Sequence, residues 1–463
     1  MSDQRFASRP AAVAGSAGLS RRSLLRGAAG ALALPALGGS AATLLAGCGG
    51  SGGGSSKQLT FWNFYAPADD GNPQSQWFVD LVKKWNTDNE VQIKLRYLPV
   101  SDYLAGTSLQ TAFQSGDGPD IFLISPGDFL RYYNGGVLAD LTPYLSKEAQ
   151  ADFLPGVLDT RMVEDKIFGL PMEVEPLGLY YSPAAFESVG LSEADVPTTW
   201  DQLLDVADKL TNEKRYGVLF ETISGYYQNF TWYPFMWMGG GNAVENGRSA
   251  FDSPATEQAL KLWQDTIRTG VAPRKPQGDG AGNASANLAS GYCAIQQTGT
   301  WAVADLELNK KSFEYGVAPL PVPSGGTYTT DMGGWAFVAN AKGANPEAAA
   351  KFVAWALGST EADGIERCRQ WNSVVKTTVP TRKSVKEAAI SEGAYAEGAM
   401  ATFIDEIAPG GRSEPRYPPE IYQAVSDALQ ACQLDGTDPQ QAAAEASSTI
   451  STYLESYQGA PVV

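Results

Sequence analysis

Histidine is absent from all 463 residues. That excludes a Ser-His-Asp or Cys-His unit, a His-ligated zinc and an imidazole general base. The GxSxG match at Gly49 to Gly53 falls in the Gly/Ser linker and is no strand-to-helix elbow, and no GxxxxGK phosphate loop followed by Ser or Thr occurs. Cysteine is scarce, and Cys293, Cys368 and Cys432 stand far apart with no metal-ligand spacing. They read either as one disulfide plus a free thiol or as three buried thiols. Basic patches are missing too, and the net charge is −17. Beyond the first 47 residues, which hold five Arg and one Asp, the rest carries 29 basic and 50 acidic groups, a net −21. Such a field repels nucleic acid and anionic membrane surfaces. Carboxylates, Lys and Tyr are what remain for catalysis.

What is present is the composition of a soluble globular protein, 43% hydrophobic and 18% charged. The length calls for two or more domains. Ser20-Arg21-Arg22-Ser23-Leu24-Leu25-Arg26 opens an N-terminal stretch, Gly27 to Gly47 is uncharged, and Leu45-Ala46-Gly47-Cys48 ends it. A basic start, an apolar middle and small residues before a cleavage point describe a secretory signal over 1–47. The paired arginines resemble a twin-arginine signal. Leu-Ala-Gly-Cys resembles the bacterial lipoprotein box, which implies lipidation of Cys48, with 48–57 as lipidated Cys and Gly/Ser linker. The alternative is an uncleaved transmembrane anchor, but Ala, Gly and Pro35 make this segment weakly hydrophobic. Either way the folded part lies outside the cytoplasmic membrane, tethered at its N-terminus.

Gln58 to Phe64 predicts a first strand, Trp77 to Asn86 a helix, and Val91 to Tyr97 a second strand. Tyr103 to Gln114 predicts a helix, Asp120 to Ile124 a buried strand, and Phe129 to Tyr133 a helix that Gly135-Gly136 ends. Strand, helix, strand, helix, strand points to a parallel sheet covered on both faces. Next comes GLPMEVEPLGLYYS, Gly169 to Ser182, in which Pro171 and Pro176 bracket an extended run. Glu173 and Glu175 stand on one face of that run, because strand side chains repeat every second residue.

Gly116 to Leu145, GDGPDIFLISPGDFLRYYNGGVLADLTPYL, closely resembles the extracellular solute-binding proteins of bacterial ABC importers, in their carbohydrate-binding, maltose-binding-protein-like group. The resemblance continues through Gly169-Leu170-Pro171, Pro197 to Asp201, Gly299-Thr300-Trp301, Tyr315 to Pro321, Gly333-Gly334-Trp335 and Asn345 to Ala349. It implies an α/β, two-lobed periplasmic-binding-protein-like fold of type II, with three hinge crossovers and a ligand cleft between the lobes. The crossovers fall near 173–177, 333–337 and 374–381. Lobe 1 is then 58–174 and 335–378, and lobe 2 is 175–334 and 379–463.

Sugars need planar hydrogen-bonding groups and flat aromatic walls. Ligands in open α/β sheets bind beyond the carboxyl ends of strands. Asn63 and Tyr65 follow the first strand, where Asn63 is either a hydroxyl contact or a turn former. Ser125 and Asp128 follow the strand DIFLI, and Asp128 either binds ligand or caps the next helix. The resemblance implies a ligand-binding role for Glu175, a stacking wall from the aromatic stretch holding Tyr226, Tyr227, Asn229 and Trp232, and a stacking role for Trp301. Tyr226 and Trp232 are the chosen members of that stretch. Gly333 and Gly334 let backbone approach the ligand, with Trp335 alongside. Arg412 or Arg416 either binds ligand, as the resemblance implies, or pairs with Glu414.

The implied function is capture of a mono- or oligosaccharide for an ABC permease by a monomer, with no metal or cofactor. A glycerophosphodiester ligand is the alternative within the family. A glycosidase is disfavoured: carboxylates at i and i+2 lie about 7 Å apart on one face and do not flank a glycosidic bond.

Overall fold

The computed structural model describes residues 57–104 and 107–462. The signal, Cys48 and most of the linker lie outside the described residues.

Leu59 and Phe61 turn into the core from the strand Gln58–Asn63. It pairs in parallel with Gln92–Tyr97 on one side and with Ile121–Ile124 on the other. Between the first two strands runs the helix Pro73–Asp88, started by Pro73 and by an Asn72 cap that accepts the Gln74 N–H. Its Trp77, Phe78, Leu81, Val82 and Trp85 recur at helical spacing and are buried. The first sheet is completed by Ala336–Ala339 and Leu170–Pro171, in the order Gln92–Tyr97, Gln58–Asn63, Ile121–Ile124, Ala336–Ala339, Leu170–Pro171. The Phe61 ring meets those of Phe337, Phe78 and Phe352 at 4.8, 5.7 and 5.8 Å.

The second sheet runs Gly411–Ser413, Thr330–Gly333, Glu175–Tyr181, Cys293–Gly299, Tyr216–Leu219, with Gly316–Ala318 also on Glu175–Tyr181. Behind it Phe220 stacks on Trp263 at 4.8 Å, and Phe235 closes on both rings. The protein is two-lobed, one sheet to each lobe. Neither sheet is wholly parallel. Ala336–Ala339 is antiparallel to Ile121–Ile124, and Glu175–Tyr181 is antiparallel to Cys293–Gly299 and Thr330–Gly333. The reason is connectivity: these two strands leave the hinge, while their neighbours run toward it.

The chain passes from the first sheet to the second between Pro171 and Glu175, and returns between Gly333 and Ala336. Val379 pairs with Val174 beside the first passage. The chain then goes back to the first lobe. Arg382, 1% exposed, donates to Asp152, Leu357 O and Ser359 O, and Leu154 N bonds Thr381 O. Residues 379–391, assigned above to lobe 2, are therefore held on lobe 1, because a buried guanidinium is satisfied only there. A strand bonded into the second sheet follows at Gly411–Ser413.

Away from the hinge the lobes also touch. Arg416 donates to Met162 O. The chain's end, after the helix Pro439–Ser456, reaches Asn134, which donates to the Tyr457 hydroxyl and accepts Ala460 N–H. Cys293, Cys368 and Cys432 are all buried free thiols.

Candidate functional site

A cavity of about 380 Å³ opens where the ends of both sheets meet the crossovers. That size lies within the range of about 300–1,000 Å³ usual for small-molecule sites. Phe64, Tyr65, Ser125 and Trp335 line it from the first lobe; Tyr226, Tyr227, Phe230 and Trp301 line it from the second.

Tyr65 is placed by a side-chain turn. Asn63 accepts the N–H groups of Tyr65 and Ala66 at 2.8 and 2.6 Å and donates to Ala66 O at 2.7 Å. Asn63 is fully buried and does not line the cavity, so of its two readings the turn is the one realised. The Phe64 ring lies edge-on to Trp335 at 4.7 Å, giving the first lobe's apolar wall.

The opposite wall comes from the helix Tyr226–Met238, which contains Pro234. Residues four apart share a helix face, so Tyr226 and Phe230 both reach the cavity. Trp232, six positions on from Tyr226 at about 100° per residue, points away from it. It is fully buried against Phe251 and Tyr233 in the core of the second lobe. Trp301 does line the cavity, with its indole N–H on Gly282 O at 3.0 Å.

Glu175 faces the cavity and Glu173 lies behind it, both carboxylates on one ammonium. Lys376 Nζ is 2.8 Å from Glu175 Oε1 and 3.1 Å from Glu173 Oε1, and donates to the Tyr65 hydroxyl at 2.6 Å. Trp371 Nε1–H binds the other oxygen of Glu173. Burial pushes the Glu175 carboxyl up, against the pull of Lys376, to about 7. Burial would lower Lys376, but Glu173 and Glu175 outweigh it and hold the ammonium well above its ordinary range. The cation is therefore permanent, and it fixes three crossover-side groups at one point.

Gly334 lines the cavity with φ +123°, and a Cβ there would stand 2.4 Å from Glu173 O. Only glycine fits that conformation and that gap. Gly333 is one step off the cavity, paired with Glu175 in the sheet. Asp128 does not line the cavity and makes no cap bond; it lies 3.5 Å from Arg131, and burial raises its carboxyl. Arg412 stacks over the Trp237 ring at 4.4 Å, and Arg416 is buried against Phe129 and Met162 O. Neither arginine reaches the cavity, and neither pairs with Glu414 among the described residues.

Sequence reasoning missed several lining groups, of which Lys376 and Glu414 bear most on the site's electrostatics. Lys376 sits inside the expected crossover 374–381, where a lone charge was the available signal. Glu414 was read only as a partner for arginine, yet it lines the cavity and accepts Gly127 N–H at 3.2 Å. Burial pushes its carboxyl up to about 8, with Arg161 opposing and Asp128 and Glu175 adding. The hydroxyls of Ser125 and Tyr226 are buried at the cavity without a hydrogen-bond partner. Aromatic faces, unpaired hydroxyls and carboxylates form a surface suited to a polar, ring-shaped solute.

Residues 68–363, more than half of the chain, match a family described as bacterial extracellular solute-binding protein. The multiple sugar-binding protein of Streptococcus mutans is 24% identical over 293 residues, 59% of this chain and 66% of its own length. The chain thus spans just under two thirds of that curated relative. A solute-binding protein of Thermotoga lettingae bound with α-D-tagatose superposes with a TM-score of 0.73 at 24% identity, covering 86% of this chain and 100% of that one. UgpB of Mycobacterium tuberculosis in complex with glycerophosphocholine gives 0.71 at 20% identity, over 86% and 99%. These two likenesses establish the fold. The family match over most of both lobes, together with that fold, decides the assignment: the chain belongs to the bacterial extracellular solute-binding proteins.

Proposed function

We propose that this chain is the solute-capturing subunit of an ABC importer and binds a sugar or oligosaccharide. The observation that carries the reading is the cavity between two aromatic walls, one from each lobe, with unpartnered hydroxyls at Ser125 and Tyr226. Sugar rings stack on such walls, and their hydroxyls take such partners. The likeness to the multiple sugar-binding protein of Streptococcus mutans supports a sugar ligand.

The ligand bridges the lobes, favours the closed form by its differential affinity, and the closed form docks on a permease. Lobe 1 on this reading comprises 58–174 and 335–391, and lobe 2 comprises 175–334 and the chain after 397. Cys48 carries the lipid and holds a monomeric protein at the outer face of the cytoplasmic membrane, after export by the twin-arginine route. Fatty-acid labelling of wild type and Cys48→Ala tests the anchor; an unlabelled wild type ends that claim.

The site is a binder and not a hydrolase. Glu173 and Glu175 share one ammonium, so they do not stand on opposite sides of a bond. Glycerophosphodiester ligands are a second reading, supported by the fold likeness to the glycerophosphocholine complex. Titration calorimetry with maltose-type and trehalose-type sugars and with glycerophosphocholine separates the readings. Binding of glycerophosphocholine alone overturns the sugar. Small-angle scattering at saturating ligand checks closure, and an unchanged radius of gyration overturns it.

A further inference from the structure

We propose that the captured saccharide carries a positively charged nitrogen, an amino sugar whose ammonium lies between Glu414, Glu175 and the Ser125 hydroxyl. This rests on the sugar reading above and narrows it.

The first ground is that, among the described residues, no cation on the cavity is free to meet an anion. Among the described residues Lys376 is the one basic residue on the cavity, and it donates to Tyr65 and Glu173 and is ion-paired with Glu175 at 2.8 Å. Arg161, which does not line the cavity, donates to Val157 O, Thr160 Oγ1 and Gly334 O. Arg412 and Arg416 are engaged elsewhere.

The second ground is what Glu414 lacks. It is 3% exposed, lines the cavity, accepts one hydrogen bond from Gly127 N–H, and has no ion pair among the described residues. A buried carboxylate without a paired cation is costly, and a ligand cation offsets that cost.

The third ground is convergence. A Cβ on Gly127 would stand 2.7 Å from Glu414 Oε1, 3.5 Å from the Tyr226 ring and 3.6 Å from Ser125 Oγ. Ser125 is 5% exposed and its hydroxyl has no hydrogen-bond partner. On the other side, Gly333 is the sheet partner of Glu175, and its missing Cβ would stand 3.1 Å from Glu414 Oε2. Directly paired residues project to the same face of a sheet, so Glu175 and Glu414 gather on the Gly333 side of it together with the Phe230 ring, which would stand 2.7 Å from that Cβ. An ammonium donates in three directions and is attracted to aromatic rings, and those of Tyr226 and Phe230 stand beside these glycines. Because burial pushes the Glu414 carboxyl up to about 8, it holds its proton at neutral pH until the ligand's cation draws it into the ionised form. Binding then releases a proton.

The test is titration calorimetry of the full mature protein with maltose and cellobiose, each against its 2-amino-2-deoxy counterpart, near neutral pH. The amino member is expected to bind about tenfold more tightly or better, the gain of a charge-assisted over a neutral hydrogen bond. In Glu414→Gln that ratio falls toward one, and being measured within one preparation it does not depend on how much of the variant is folded. Binding heats in two buffers of different ionisation enthalpy should report proton release for the amino member only. Equal or tighter binding of the neutral member overturns the ammonium while leaving the sugar reading intact. If no saccharide of either set binds, the sugar reading fails and the amino-sugar class with it. Binding of choline or glycerophosphocholine in that case assigns the ammonium to a quaternary amine.

Discussion

Lys376 and Tyr65, 311 positions apart in the chain, meet in a 2.6 Å hydrogen bond at the wall of the cavity. The same ammonium holds Glu173 and Glu175. One lysine thereby links the first sheet's exit loop, the first crossover and the segment that passes beside it.

Lys376→Met leaves two buried carboxylates without their cation. The expected loss is about 3–5 kcal/mol of unfolding free energy, the scale for removing one partner of a buried pair. Glu175→Gln keeps the Glu173–Lys376 contact and should cost less. Urea unfolding followed by Trp fluorescence measures both; a Lys376→Met midpoint equal to wild type refutes this role.

The pH dependence follows from Glu414 and Glu175. Burial raises the folded-state values to about 8 and about 7, above the ordinary 4.5 for both. The folded state therefore binds more protons than the unfolded state from about pH 4.5 upward. Stability contributed by these groups is present at low pH and is lost as pH rises toward 8. Glu414→Gln does not titrate, so its Tm should rise relative to wild type between pH 5 and 9. A constant difference in thermal scans contradicts the raised carboxyl.

Trp301 and Trp232 separate wall from core. Trp301→Ala should weaken saccharide binding by about tenfold or more, the scale of one lost aromatic contact surface. Trp232→Ala should instead cost about 3–5 kcal/mol of stability, as a large aromatic removed from a packed interior. Calorimetry and denaturant titration on both variants give the comparison, and a reversed pattern would place the wall elsewhere on the helix.

Gly334→Ala puts a Cβ against Glu173 O in a backbone conformation that side-chain-bearing residues rarely adopt. A loss of about 1–3 kcal/mol is expected in denaturant midpoints, with weaker ligand binding beside it. Gly436→Ala, at φ +77° but with no atom within 4 Å of the added Cβ, should cost less, because it carries the strain without the clash.

The two-lobed plan was readable because its strands and helices are locally consistent, as in the buried series Trp77, Phe78, Leu81, Val82, Trp85 of one helix. Tyr65, Ser125, Glu175, Trp301, Gly334 and Trp335 stand at strand ends or crossovers, Tyr226 opens a helix, and all line the cavity. Trp232 misled because Tyr226–Met238 is apolar nearly all round and contains Pro234, so no stripe marks its helical period. Arg412 and Arg416 misled because a loop sequence does not say which way a guanidinium turns. Lys376 and Glu414 take their meaning from groups about 200 or more positions away, and no local pattern encodes that. The antiparallel strands follow from hinge connectivity, which strand propensity does not carry.

The strand Ala336–Ala339 lies between Ile121–Ile124 and Leu170–Pro171 in the first sheet. The ribosome makes it roughly 165 residues after the strand on its far side. At about 5–20 residues per second, that gap lasts on the order of ten seconds or more. Throughout that interval the first lobe has an open seam, and the second lobe still awaits its edge strand Gly411–Ser413. Neither lobe is a continuous stretch of chain, so each waits for a strand made long after its neighbours before its sheet can close.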